Sequence, residues 1–131
     1  MLILTVYCVL WRIVTRICKK FIIKMNISRL DQLKAFLEED PNDPFNIYAL
    51  ALEYTKSNTD NALYYFHQLL DQFPEYVSTY YHLGKLYQGL DRFEEAENTF
   101  SKGIQLATKL NKTKDVSELK NALQQLRDEQ L

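Results

Sequence analysis

The sequence predicts an all-α chain, an antiparallel helix-pair solenoid of about six helices. Three observations carry this expectation. Only three glycines and three prolines occur in 131 residues, too few for a fold built on many tight β-turns. Apolar residues recur at helical spacing along most of the chain. A set of aromatic and small residues also returns after about one repeat unit of 34 residues. The length suits one domain, large enough to bury a core without disulfides or metals. Apolar content of 47% and charged content of 25% are ordinary for a globular protein.

The elements follow in chain order. Residues 1–24 differ from the rest: they carry Arg12, Arg16, Lys19, Lys20 and Lys24 and no acid, and hold Cys8, Cys18 and Trp11. Leu2 to Trp11 is an almost unbroken apolar run, shorter than the roughly 20 residues that span a bilayer. Its basic residues come after the apolar run, the reverse of a secretory signal. Three readings stand: an interfacial basic anchor, a disordered extension, or a polypeptide that begins at Met25. The abrupt change of composition at Met25 favours the last.

Residues 25–131 form the predicted helical domain. Its first helix is expected over 28–39, with Ser28 and Asp31 at the start, Ile27, Leu30, Leu33 and Leu37 as its stripe, and Asp40-Pro41 as its stop. Helices over 44–57 and 60–73 follow, then 77–89 and 92–110. Asp60 and Asp91 stand near the starts of the second helix of each pair, where a carboxylate accepts backbone N–H groups and opposes the helix dipole. A last helix over 114–129, begun at Asp115 or Ser117, carries the stripe Leu119, Ala122, Leu123 and Leu126. Its other face (Lys120, Gln124, Gln125, Arg127, Asp128) is polar, as the outer face of a terminal capping helix must be.

The repeat is read from Tyr80, Leu83, Gly84, Tyr87, Ala96 and Phe100, and from an earlier copy made of Ile47, Leu50, Ala51, Tyr54, Ala62 and Phe66, closed by Pro74. Ile47 and Tyr80 lie 33 residues apart, and Ala62 and Ala96 lie 34 apart. Gly84, Ala51, Ala62 and Ala96 stand where paired helices cross closely, and the aromatic residues fill the space between them. Pro74 ends a helix because it lacks the N–H donor and clashes with the preceding turn. These residues resemble the tetratricopeptide-repeat pattern W-x2-L-G-x2-Y…A-x3-F…P, with Tyr80 in the tryptophan position. The resemblance covers residues 44–110, with repeats over 44–76 and 77–110.

In that family the first helices of successive repeats line a concave groove that takes peptides or helices. The resemblance therefore implies a protein-interaction scaffold whose partner is an unknown protein or peptide. The groove residues would be Tyr48, Leu52 and Thr55 on one helix and Ser78, Tyr81, Lys85 and Gln88 on the next, with His82 and Lys56 at the margins. Tyrosine suits such a groove, having a large apolar body and a polar tip; Tyr48 and Tyr81 can equally serve as core. Some family members clamp a C-terminal carboxylate with paired lysine and asparagine side chains. Tyr48 and Leu52 occupy places where those polar groups would be wanted, which points instead to an amphipathic or extended ligand. The alternative is a self-associating assembly element, since two full repeats are fewer than the three usually needed. The partial units at the two ends make up the deficit and favour a monomer.

Residues 25–131 hold eleven basic against seventeen acidic side chains, a formal charge of −6. That balance argues against a nucleic-acid partner, whose phosphates need basic side chains. No enzyme is expected, and neither cofactor nor metal. His67 and His82 lie on different helices, no glycine-rich phosphate loop is present, and Asp40-Pro41-Asn42-Asp43 is too short for a calcium loop. The absence of cysteine after Cys18 suits the cytoplasm; the alternative is membrane association through residues 1–24. The triplets at Asn26 and Asn111 that match the glycosylation pattern are short enough to arise by chance.

Overall fold

The computed structural model describes residues 10–14 and 28–131. Residues 10–14 are helical, and Trp11 is 74% exposed. Leu10 and Arg12 lie in the same stretch, while Arg16, Lys19, Lys20, Lys24, Cys8, Cys18, Met25, Asn26 and Ile27 lie outside the described residues. From Arg29 onward the chain runs through six helices: α1 (Arg29–Glu39), α2 (Pro44–Tyr54), α3 (Thr59–Gln72), α4 (Ser78–Gly89), α5 (Phe93–Lys109) and α6 (Thr113–Glu129). Each packs against its neighbour in sequence. The described part is all-helical, as expected.

Local chemistry sets the ends. Ser28 caps α1, its Oγ accepting the Asp31 N–H at 3.2 Å and donating to the Asp31 carboxylate at 2.8 Å. The Asp40 N–H closes the helix on the Phe36 carbonyl, and Pro41 follows. Asp43 caps α2 by accepting the Phe45 N–H at 2.9 Å, with Pro44 in the first turn, where its missing donor costs nothing. That helix stops at Tyr54 rather than at residue 57, where the chain tightens into a turn: the Lys56 and Ser57 N–H groups bond three residues back, to the Glu53 and Tyr54 carbonyls, at 3.2 and 3.1 Å.

Three expected caps differ. Asn58, not Asp60, caps α3 through the Asn61 N–H at 3.0 Å, and Asp60 lies in the first turn. Asp91 does not begin a helix. It ends α4 in the left-handed region, at φ 57°, and Asn111 ends α5 with the same φ. The next N–H then reaches back across each residue, Arg92 to the Tyr87 carbonyl and Lys112 to the Ala107 carbonyl, each at 2.9 Å. Aspartate and asparagine are the side chains that tolerate this conformation best after glycine. Neither Asp115 nor Ser117 caps α6: Asp115 sits in its first turn, and the Ser117 hydroxyl donates to the Thr113 carbonyl within the helix.

The core forms where α2 meets α3 and α4 meets α5, and it continues into α6. Ile47, Leu50, Ala51, Tyr54, Ala62, Phe66, Leu83, Tyr87, Ala96 and Phe100 are all buried, with Gly84 among them. Leu69, Val77 and Ala107 join them, as do Leu119, Ala122 and Leu126 from α6. Full burial of a phenylalanine such as Phe66 or Phe100 stabilises by about 1.5–3 kcal/mol. Pro74 is exposed rather than packed: it follows the end of α3 at Phe73, and its carbonyl accepts the Tyr80 hydroxyl at 2.9 Å. Tyr80 is half-buried on account of that bond, which holds its ring tip at the surface.

The contact of α3 with α4 is smaller than that of α5 with α6. A cleft of about 190 Å³ opens beside it, lined by His67, Tyr87, Glu95 and Lys102 among others. The Tyr87 hydroxyl and His67 Nε2 hydrogen-bond across it at 2.9 Å.

Candidate partner-binding face

The helices α2, α4 and α6 lie side by side, since Tyr48 of α2 reaches His82 of α4, and α4 in turn contacts α6. Along α2, Ile47, Leu50, Ala51 and Tyr54 turn into the core. The positions between them, Tyr48 and Leu52, are therefore only half-buried, and Thr55 at the end is exposed. On α4, Leu83, Gly84 and Tyr87 turn inward, leaving Tyr81, His82, Lys85 and Gln88 half-buried and Ser78 exposed.

The rings form a chain rather than a pair. Tyr76 meets Tyr48 edge-on at 5.3 Å, Tyr48 meets His82 at 5.6 Å, and His82 meets Tyr81 at 5.1 Å. His82 thus stands between the two tyrosines and not at their margin, because it lies on the side of α4 that faces Tyr48. Edge-to-face contacts of this kind suit the ring quadrupole. Burial holds the hydroxyls of Tyr48 and Tyr76 above the usual tyrosine range, with Tyr76 adding to the effect at Tyr48 and Asp43 adding to it at Tyr76. Burial also lowers the His82 pKa, opposed by Glu118, so the ring is neutral at neutral pH.

Lys56 pairs with Glu53 at 3.0 Å, and Glu53 also holds Arg29 at 3.3 Å, which ties the lysine to the α1 side. The Thr55 hydroxyl donates to the Leu52 carbonyl at 2.6 Å. Lys85 donates to Gln88 at 2.9 Å and to Gln125 at 3.4 Å, and Gln88 donates to Glu129. The C-terminal helix therefore closes one end of the face. Two residues expected on its outer surface are exposed there and also reach the body at its edges: Gln125 meets α4, and Arg127 binds Glu97 of α5 at 2.6 Å. The i, i+3, i+7 stripe of Leu119, Ala122 and Leu126 sets this rotation, placing Gln125 and Arg127 on its two flanks.

Two clefts open on this side. One of about 240 Å³ lies among Leu52, Thr55, His82, Lys85 and Leu86. A smaller cavity of about 60 Å³ lies between α4 and α6, where Ser78, Tyr81 and His82 face Asp115 and Glu118. Sequence reasoning missed Tyr76, Leu86, Asp115 and Glu118 as members of this face. Tyr76 lies in a turn, where periodicity says nothing. The two acids become visible once α6 is set in register with α4, for Leu119, Ala122 and Leu126 repeat the spacing of Tyr80, Leu83 and Tyr87.

The same register extends the repeat beyond residue 110. A model of the tetratricopeptide repeat matches residues 54–126, from the end of α2 into α6. The chain belongs to the tetratricopeptide-repeat family. A tetratricopeptide repeat domain protein from Salinibacter ruber, solved by NMR, is 48% identical over 66% of this chain and 89% of that one, with a TM-score of 0.64. A crystal structure of a tetratricopeptide repeat domain protein from the same organism gives 46% identity over 65% and 97%, with a TM-score of 0.61. The solution structure of a protein from Bordetella parapertussis shares 25% identity over 79% of this chain and 90% of its own, with a TM-score of 0.70. No curated protein matches.

In this tetratricopeptide-repeat chain no described helix is long and apolar enough to cross a membrane. Among the described residues, no group of three or more His, Cys, Asp or Glu side chains is arranged to hold a metal ion.

Proposed function

We propose that this tetratricopeptide-repeat protein is a scaffold that binds a peptide or helix of another protein along the face formed by Tyr48, Leu52, Thr55, Ser78, Tyr81, His82, Lys85 and Gln88. The observation that carries the reading is the half-buried aromatic chain Tyr76–Tyr48–His82–Tyr81 beside an open cleft of about 240 Å³. Aromatic side chains that keep part of their area exposed and rigid are the anchors that interfaces favour. Tetratricopeptide-repeat domains in general mediate protein–protein contacts, which supports the same reading. On this reading the protein has no catalytic step and no cofactor, takes no nucleic acid, and works as a monomer in the cytoplasm.

Affinity capture tests it, with the full chain compared against Tyr48→Ala/Tyr81→Ala and against Tyr64→Ala on an exposed part of α3. A partner held by the parent chain and by Tyr64→Ala, but lost from the double variant while its melting curve stays cooperative, supports the reading. Equal capture by all three would sink it.

A further inference from the structure

We infer that the cavity between the first turns of α4 and α6 takes the guanidinium of an arginine carried by the bound partner segment. This rests on the reading that the face binds a partner, and it adds the chemistry of one anchor residue. The cavity, about 60 Å³, is bounded by Ser78, Tyr81 and His82 on one side and by Asp115, Glu118 and Leu119 on the other. It has room for a small head group rather than a ring.

Its walls combine the two features that hold such a cation. The rings of Tyr81 and His82 stand at 82° to one another with centroids 5.1 Å apart, so a cation entering there meets an aromatic surface. Opposite them stand two carboxylates, Asp115 and Glu118, of which only Glu118 has a cation beside it. Among the described residues no cation pairs with Asp115. Glu118 pairs with Lys114, at 3.9 Å on the same helix, and that lysine is 87% exposed. An exposed pair of that length contributes little and yields readily to a better-placed cation.

Among the described residues no lysine or arginine lines the cavity. Lys85, the base on this face of α4, is directed away to Gln88 and Gln125. His82 is kept neutral by burial, so it offers a ring rather than a charge. Complementarity of charge thus selects the occupant: the helical domain is acidic by −6 overall, and its acids at this end face an aromatic wall. Arginine fits ahead of lysine, because its planar guanidinium stacks on rings and forks between carboxylate oxygens, while an ammonium does neither as well. The apolar neighbours of that arginine would rest in the adjoining cleft beside Leu52 and Leu86.

The test uses the full chain and two fluorescein-labelled peptides. One alternates leucine with arginine; the other has citrulline, the neutral counterpart, at every arginine. Fluorescence anisotropy is expected to show the arginine peptide binding about tenfold tighter, the scale of a desolvated cation–aromatic contact. Asp115→Asn/Glu118→Gln, which alters charge with little change of shape, should abolish that difference and leave citrulline binding as it was. Tyr48→Ala should weaken both peptides alike. Selectivity for arginine that survives the double charge variant overturns the inference, as does equal binding of the two peptides or binding of neither. Sensitivity of both peptides to Tyr48→Ala without any arginine preference would leave the binding face standing and remove only the cation site. Arginine selectivity lost in the charge variant but indifferent to Tyr48→Ala would do the reverse.

Discussion

A Cβ added at Gly84 would stand 2.7 Å from Phe100 Cδ1, and one at Gly103 would stand 2.7 Å from Tyr80 Cβ. Both contacts are closer than packed carbon atoms allow, so α4 and α5 would have to part. Gly84→Leu should therefore lower stability by about 1–3 kcal/mol or more through overpacking, read from a thermal melt. Gly84 could be recognised in the sequence because it falls in the repeat pattern. Gly103 could not, for its small size serves the junction of α5 with α4 and α6, which only tertiary structure brings together. Thr79 is likewise invisible from sequence. It is fully buried, and among the described residues its hydroxyl has no hydrogen-bond partner. Thr79→Val removes that unsatisfied group at nearly constant shape and should stabilise the fold by about 1 kcal/mol. Chemical denaturation midpoints check it, and a lower midpoint would show that the hydroxyl is satisfied in solution. At Asn111, φ of 57° carries the turn between α5 and α6. A β-branched replacement there should cost about 1–2 kcal/mol, whereas Asn111→Gly should be neutral or stabilising; a pair of melts separates the two.

Element boundaries set by a side chain were mostly legible, the Asn58 cap of α3 being the exception. The capping exchange of Ser28 with Asp31 and the stops at Pro41 and Pro74 all follow from residue chemistry. The carboxylate caps expected at α5 and α6 are not there: neither helix has a side-chain cap, and the Arg92 and Lys112 N–H groups close the helices before them instead, so a carboxylate nearby is no guide. The aromatic face was legible on α2 and α4, whose periodicity separates inward from outward positions. Its α6 side was not, because a terminal helix read by itself presents its polar residues as an outer surface. His82 ties these elements together and gives them a pH dependence. It faces Tyr48 from α2, and Asp115 and Glu118 from α6, with Tyr81 and Lys85 beside it on its own helix. Burial depresses its folded pKa below the ordinary 6.5. As pH falls through 6.5 the unfolded chain takes up a proton that the folded one refuses, so stability declines with falling pH until the folded pKa is passed. His82→Gln should flatten stability across that window, measured as denaturant midpoints between neutral and mildly acidic pH. A slope unchanged by the substitution would assign the effect to other groups.

Across the whole molecule, protection should rise from front to back. No residue of α1 is buried, and Phe36 on it is 52% exposed, because no helix covers its outer side among the described residues. Helices α4 to α6 instead share extensive contacts. Hydrogen exchange should therefore be fastest in α1 and slowest in the buried stretches of α4 and α5; uniform protection would contradict the unequal packing. The solenoid class and the repeat were readable because the two full repeats set small and aromatic residues at nearly the same spacing. The unequal junctions were not, since they depend on how far each unit leans on the next. The slender contact of α3 with α4, bridged by Tyr87 and His67, has a mechanical side. A solenoid under tension yields at its thinnest joint. A load applied across α1–α6 would be expected to part them there first, separating α1–α3 from α4–α6, and the softness of that same joint sets how far the front of the binding face can pivot against the rear.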